Sequence, residues 1–400
     1  MSNADVKDFN ANNRALATER SLHVPPIFWF DSSNDPINSK SIIVTHTLDW
    51  LEYNIHNQFS LLEQKILSWQ TTAPQGGIAG WIDYDGNACL ALVPQWHELP
   101  PGEAPSLDIP KDIQTSFEEG WLALQEQFSP DLSSSEFITK IIKAKDYISA
   151  GDIYQVNLSY SWNTPWPWEN PLYAWMLYLK LRSHAPVSYG AWIHSPKSTI
   201  LSASPELFLK TEGRSILTEP IKGTRPRDLS NPAQDQRLAE ELLHNSKERA
   251  ELLMITDLLR NDLGRICEYG SVKVEQLWQL KSHSHVHHLS SLIRGELLSH
   301  LSPLHALQTC LPGGSITGAP KKRASEIIAE LEGQPRGLYT GTLGYWKFNG
   351  ESQWNIAIRT GCIKDEFLRF GVGSGIVADS DPQAEWQETL DKASTWLTLK

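Results

Sequence analysis

Cysteine is scarce. The four that occur, Cys89, Cys267, Cys310 and Cys362, are scattered, with no Cys-x-x-Cys pair. That pattern excludes a disulfide framework and leaves packing residues or free thiols in a reducing compartment. Positive charge is also short, with 35 Lys and Arg against 47 Asp and Glu and a net charge of -12. Nucleic-acid binding needs a basic surface for phosphates, so no nucleic-acid partner is expected. A small anion can still find a local cluster of bases. No apolar run is long enough to cross a bilayer, so no membrane partner is expected either. The stretch Met1–Asn12 is polar and contains acids, unlike a signal or transit peptide. A soluble, cytoplasmic chain is the expectation. Also missing are a nucleophile elbow, a dinucleotide fingerprint, a kinase motif set and a cysteine-centred glutaminase motif.

What is present is core-forming material. The 400 residues are 40% hydrophobic and include sixteen tryptophans, enough for one large domain or two interlocked ones. The first 130 residues read as an N-terminal subdomain. Ser41–Thr45 reads as a strand, Leu51–Trp69 has helical spacing, and Gly76–Asp85 reads as a glycine-rich turn entering a strand. Prolines between Pro94 and Pro110 mark a connection.

Residues 131–400 carry sharper signals. Ser133 with Glu136 predicts a capping box, followed by a stripe of Ile138, Ile141, Ile142 and Ile148 and a stop at Gly151. Tyr154–Tyr160 alternates, with Tyr154, Val156, Leu158 and Tyr160 on one face and Gln155 and Asn157 on the other. Asn170-Pro171 opens a helix. Strands are predicted at Val187–His194 and Thr199–Lys210, the second interrupted at Ser204-Pro205-Glu206. A helical pattern then runs from Pro232 to Leu263. Val272–Leu292 is strand-like, and a helix is predicted from Lys321 to Glu332. Strands ending near Ile356–Arg359 and Phe367–Phe370 precede a glycine-rich turn at Gly371–Gly375 and a last helix from Pro382. Mixed long strands and helices point to an α+β fold with large sheets covered by helices.

Several groups could carry chemistry. Glu248 and Glu251, and again Glu385 and Glu388, are three apart on predicted helices, so each pair shares a face. Two such faces together would suit Mg²⁺, and solvated helix surface is the plain alternative. His283, His285 and His287 would share one strand face in a zinc-like arrangement that no further motif completes. A solvated strand face explains those three, and leaves His288 on the opposite face as an acid/base or hydrogen-bond donor. The Gly313–Gly318 loop lacks the lysine of a phosphate-binding loop. It, and Gly373 with Gly375, could bind a carboxylate through backbone N–H groups. Arg359 alternates with its neighbours in a strand and could clamp a carboxylate or pair with an acid. In Pro220-Ile221-Lys222-Gly223-Thr224-Arg225-Pro226-Arg227, a lysine stands between a proline bend and a glycine, with a threonine hydroxyl and two arginines behind it.

From Ser133 onward, about two thirds of the chain resembles the chorismate-binding enzymes. The likeness is carried by Gly151–Asn157, Ser204-Pro205-Glu206, Pro220–Arg227, Leu253–Arg265, Gly313–Lys321 and Gly375–Ser380. Gly80–Asp85 matches more loosely, and no tryptophan-binding regulatory element is evident. Within the family the chain looks most like the branch that makes 4-amino-4-deoxychorismate. The resemblance implies an anthranilate synthase-like fold of two large facing β-sheets covered by outer helices, with the active site in the cleft. It implies Mg²⁺ held by Glu251 and Glu388, with Glu248 and Glu385 holding metal-bound water. It makes His288 the active-site histidine and gives Thr224, Thr317, Tyr339, Arg359, Gly373 and Gly375 as substrate contacts. It makes Glu206 the acid that protonates the leaving C4 hydroxyl of chorismate, and Lys222 the nucleophile at C2.

Chemistry then sets two requirements. Lys222 must lose its proton to attack, so a pKa lowered by burial, Arg225 or Mg²⁺ is expected. Glu206 must keep its proton, so its pKa should be raised. Ammonia is expected from a glutamine amidotransferase subunit. The alternatives are amination at C2 with loss of pyruvate, and a non-catalytic subunit that activates a glutaminase.

Overall fold

Alternating apolar residues build two antiparallel sheets that face each other across the molecule. The computed structural model describes residues 21–22, 24–32, 40–100, 102–283 and 286–399, so the Met1–Asn12 stretch and His285 lie outside the described residues. The longer strands begin with β1 (Phe28–Asp31), β2 (Ser41–Val44), β3 (Asp49–Asn54), β4 (Gly77–Ile82), β5 (Asn87–Val93) and β6 (His97–Leu99). After them come β7 (Gln155–Pro165), β8 (Tyr189–His194), β9 (Thr199–Ser204), β10 (Leu207–Glu212), β11 (Ser215–Glu219) and β12 (Ile221–Pro226). The last are β13 (Lys273–Ser282), β14 (Val286–Glu296), β15 (Thr342–Lys347), β16 (Ser352–Ile356), β17 (Thr360–Lys364) and β18 (Phe367–Ile376). The helices are α1 (Phe59–Thr72), α2 (Lys111–Gln125), α3 (Ser134–Ser149), α4 (Pro171–His184), α5 (Pro232–His244), α6 (Ser246–Gly264), α7 (Pro303–Cys310), α8 (Lys321–Glu332) and α9 (Pro382–Leu397).

Each sheet has ten strands. The first runs from the two-residue strand Gly318–Ala319 through β7, β18, β17, β9, β8, β1 and β2 to β6, with Ser129–Pro130 beside β7. The second runs β12, β14, β11, β10, β16, β15, β4, β5, β3, with β13 beside β14. Strands from the first 130 residues therefore finish one end of both sheets. At that end the inner faces pack directly on each other through Phe28, Phe30, Ala79, Ala91, Ala191, Leu343 and Tyr345. The alanines there let the sheets approach. At the other end polar residues replace them and the sheets enclose a cleft. The outer face of the first sheet buries Val156, Leu158 and Tyr160 against Phe137, Trp175, Ile327 and Trp396 of the helices. The second sheet is backed by α1, α6 and α7.

Local sequence decides several details. Ser133 caps α3 as expected: its hydroxyl accepts from Glu136 N at 3.4 Å, and Glu136 accepts from Ser133 N at 2.7 Å. Ser133→Ala is expected to cost about 1 kcal/mol in urea unfolding. The buried face of α3 is Phe137, Ile141 and Ala144, while Ile142 of the predicted stripe is exposed. Tyr154 precedes β7 and is exposed, so only Val156, Leu158 and Tyr160 share the buried face. Leu51–Trp69 is not one helix. Its first residues pair with β5 as β3, and α1 begins only at Phe59, because the segment's alternation fits a sheet edge. The Pro232–Leu263 pattern breaks at Asn245, whose side chain accepts from Glu248 N at 3.0 Å and caps α6. Gly371–Gly375 is no turn: β18 runs straight through it, paired residue by residue with β7. No helix among the described residues is long and apolar enough to cross a membrane.

Candidate active site

The cleft is closed by two backbone crossings between the sheets. β9 belongs to the first sheet and β10 to the second, so Ser204-Pro205-Glu206 is a crossing and not an interruption within one strand. Proline lacks the N–H that would continue the ladder. The chain returns at Ala357-Ile358-Arg359, between β16 and β17. The crossings are stitched together by Ile356 N to Glu206 O at 3.1 Å, Ala203 N to Arg359 O at 3.1 Å and Ser204 Oγ to Ile356 O at 2.6 Å. Arg359 sits there with φ +50°, a left-handed backbone, so the predicted strand alternation does not apply to it. Glu206 and Arg359 both face a cavity of about 520 Å³, a volume suited to one small polar ligand.

Lys222 enters the cavity from β12. The register of β12 on β14 slips between Lys222 and Thr224, where Gly223 has φ +68°. This bulge aims Lys222 inward. A side chain at Gly223 would meet Leu242 and Glu248 at 2.6 and 3.0 Å, so the glycine also lets α5 and α6 close on the strand. Lys222 Nζ reaches Glu251 Oε2 at 3.2 Å. Burial pulls its pKa down, but Glu251, Glu388 and Glu248 outweigh burial and the net shift is upward. The net direction is opposite to the expected lowering. Arg225 does not supply it either, because that side chain turns away to Glu241 at 3.0 Å.

Glu206 behaves as the chemistry requires. Burial pushes its pKa up to about 7, against the opposing pull of Ser315, Lys222 and Lys392. His288 is buried and points into the cavity, with Nδ1 3.1 Å from Thr224 Oγ1. Burial, helped by Arg359, pushes its pKa down to about 3, so it acts as a neutral hydrogen-bonding group. His287 is not a solvated surface residue. Helices α5 and α6 cover that face, and its ring bonds Asp235 at 3.1 Å and Ser282 Oγ at 2.8 Å. His283 lies in the β13–β14 turn and packs edge-on against His288, so it shares no strand face with His287.

Both acid pairs line the cavity, from α6 and from α9. Each acid already has a partner. Glu248 stands 3.9 Å from Arg225, and Glu388 bonds Lys392 at 2.7 Å. Glu385 is buried and accepts from the hydroxyls of Ser374 and, at 2.6 Å, Ser380. Burial and Glu251 raise the Glu248 pKa. Burial also works to raise that of Glu388, but Lys392, Lys222 and Lys247 prevail and lower it. Among the described residues no three His, Cys, Asp or Glu side chains are gathered ready to hold a metal. The lysines stand between them instead.

The opposite wall can take a carboxylate. β17 pairs with β18 only as far as Gly361 on Phe370, so from Gly371 onward that edge of β18 is free. Gly373 O accepts there from Lys392 at 2.8 Å, and in an antiparallel strand its N–H points the same way. Gly375 also faces the cavity, and a Cβ on it would lie 3.3 Å from Lys222 Nζ. The Tyr339 ring lies flat on Gly371, where a Cβ would come within 2.2 Å. Gly371→Ala is expected to displace Tyr339 and lower kcat/KM about tenfold or more, with the far-ultraviolet spectrum unchanged. Burial lowers the Arg359 pKa, and no acid among the described residues forms an ion pair with its guanidinium beside the cavity. Thr317 differs from expectation. Its hydroxyl donates to Gly313 O at 2.9 Å, and Ser315 and Ile316 line the cavity in its place. Lys247, Lys392 and Ser315 carried no expectation. For the first two the signal was available, since each is four residues from an acid on its own helix. The side-chain amide of Gln155 is buried beside Gly375, and neither of its polar atoms has a hydrogen-bond partner among the described residues.

The cleft between the two sheets brings together an amine, a proton-holding acid, two acid pairs and an open amide edge. The family described as chorismate binding enzyme matches residues 109–398, and the chain belongs to that family. Anthranilate synthase component 1 of Streptomyces coelicolor is 42% identical over 281 residues, covering 70% of this chain and 53% of that protein. Aminodeoxychorismate synthase component 1 of Bacillus subtilis is 41% identical over 266 residues, covering 66% and 56%. The chain spans about half the length of the curated relatives it matches. The crystal structure of anthranilate synthase component I from Streptococcus pneumoniae superposes with a TM-score of 0.70 at 27% identity, over 94% of this chain and 91% of that one. The two-sheet α+β architecture is the one expected from the resemblance.

Proposed function

We propose that this chain aminates chorismate at C4 to give 4-amino-4-deoxychorismate, as an aminodeoxychorismate synthase component I working in the cytoplasm toward para-aminobenzoate and folate. The observation that carries this reading is Lys222, a half-buried amine aimed into the cavity and acting electrostatically on Glu206. Lys222 loses its proton to solvent and attacks C2 as the neutral amine, the double bonds shift, and the C4 hydroxyl leaves as water with the proton of Glu206. Ammonia then attacks C4 and expels the Lys222 amine, so the two inversions give net retention. Arg359, Tyr339, Thr224 with neutral His288, and the free amides of Gly373 and Gly375 hold the substrate in register for both displacements. Thr317 supports the loop that carries Ser315.

By donor type the four carboxylates suit Mg²⁺: all are oxygen ligands lining the one cavity, although amines and hydroxyls stand among them. Glu251 and Glu388 would hold the ion directly, and Glu248 and Glu385 through water. When bound, the ion would offset the substrate's ring carboxylate and draw the charge of Glu251 away from Lys222. Both relatives are named component 1, which supports a separate glutamine amidotransferase subunit as the ammonia source.

A second reading is anthranilate formation at C2, favoured by the Streptomyces coelicolor relative, whose 42% identity is no lower than the 41% of the Bacillus subtilis one. Incubation with chorismate, Mg²⁺ and ammonium, followed by mass analysis, tests both. A product that keeps the enolpyruvyl group supports the C4 reading, and release of pyruvate overturns it. No turnover, with chorismate still bound, would make the chain a non-catalytic partner of a glutaminase.

A further inference from the structure

Lys247 stands where its charge is unwelcome to its own helix. It is in the first turn of α6, where the helix dipole favours acids and disfavours cations. Its side chain nevertheless reaches across the cavity mouth. Nζ lies 3.9 Å from Glu251 Oε1 on α6 and 4.0 Å from Glu385 Oε1 on α9, so one ammonium spans one member of each acid pair. The side chain is 57% exposed, which keeps it hydrated and cheap to move. Of the other amines on this wall, Lys222 extends from the bulge of β12 to Glu251, and Lys392 is tied to Gly373 O. Lys247 is the most exposed of the three, and its ammonium lies within 4.0 Å of acids on both helices.

We propose that Lys247 is an internal counter-ion that occupies the cation position between the two acid pairs and is displaced when a divalent ion binds there. This inference rests on the divalent-ion reading of that wall. Two carboxylates on facing helices repel when nothing positive lies between them. Lys247 removes that repulsion in the ion-free protein and keeps α6 and α9 in place for the ion. The same charge then competes with the ion, so Lys247 sets the affinity of the site. Monovalent salt, which screens an exposed ammonium more than a bound divalent ion, weakens the competition.

The test is calorimetric titration of the whole ion-free chain with Mg²⁺, without substrate. Lys247→Met keeps the length and helix preference of the side chain and removes its charge. It is expected to bind Mg²⁺ at least tenfold more tightly than wild type, a change of about 1.4 kcal/mol. Lys247→Arg, which keeps the charge, is expected to bind within about twofold of wild type. The melting temperature of ion-free Lys247→Met should fall below that of wild type, and saturating Mg²⁺ should close the gap. A purely structural lysine would give weaker ion binding on removal, not tighter. Equal or weaker binding by a folded Lys247→Met variant overturns the counter-ion role while leaving the divalent-ion site standing. Absence of binding in wild type and both variants overturns the divalent-ion site, and this inference with it.

Discussion

Lys222→Ala is expected to lower ammonium-dependent turnover of chorismate by about 10³-fold or more while chorismate still binds. The proposed double displacement uses this amine as its nucleophile. The alanine variant also removes the nearer positive charge from Glu251, which then faces Glu248 and Glu388 with Lys247, at 3.9 Å, left to offset it. Loss of activity alone would therefore confuse nucleophile with counter-ion. Lys222→Arg separates them, because a guanidinium keeps the charge but does not give up a proton to attack. Both variants should be inactive, and only the alanine variant should lose stability in ion-free buffer. Intact-mass measurement with ammonium withheld should find a covalent adduct on wild type and on neither variant. Turnover of Lys222→Ala at the wild-type rate would remove the covalent route and with it the case for amination at C4.

The pH dependence of that lysine follows from its neighbours. Its pKa is raised in the folded, ion-free chain, so the stability it contributes is fully present below its unfolded value and is lost as pH rises through the higher folded one. A half-buried amine held charged by acids is the opposite of a ready nucleophile. Local sequence could not reveal this, because Glu251 lies 29 positions away and reaches Lys222 only through the fold.

How much could be read in advance depends on how local each cause is. The caps at Ser133 and Asn170 and the proline break at Pro205 were legible because each is settled within a few residues. What Pro205 does was not legible. Nothing near it says that β9 and β10 go to different sheets, which turns a strand defect into the wall of a cavity. The glycines of β18 misled for a related reason. Glycine usually marks a turn, but here a full-length partner in β7 holds it extended, and the missing side chains make room for the Tyr339 ring. His287 and His288 were assigned to opposite faces correctly. Which face was covered depended on α5 and α6, whose packing no periodicity in β14 encodes. The acid pairs are visible as spacing, and so are their lysine partners four residues away, Lys247 for Glu251 and Lys392 for Glu388. The family resemblance supplied the roles, and the fold supplied the neighbours that set each group's charge.

Glu206→Gln is expected to trade activity for stability. The side chain keeps its shape and loses only the proton it donates, so kcat for amination should fall by about 10²- to 10⁴-fold. In wild type, burial raises the Glu206 pKa to about 7, so the rate should decline as pH rises through 7 and the acid empties. The variant should lack that limb. The stability effect has the opposite sign. A carboxyl whose folded pKa exceeds its unfolded value binds a proton more tightly in the folded chain, so its contribution is full below the unfolded value and is lost as pH rises through about 7. At pH 8 wild type holds an ionised carboxylate in a buried site, at a cost on the order of 3 kcal/mol. Glutamine carries no such charge, so urea unfolding at pH 8 should find Glu206→Gln the more stable protein, and at pH 5 the two should converge. Retained activity in Glu206→Gln would mean that another group protonates the leaving hydroxyl. Equal stability at both pH values would mean that the carboxylate is neutralised in place, with Lys392 and Lys222 the charges that act on it.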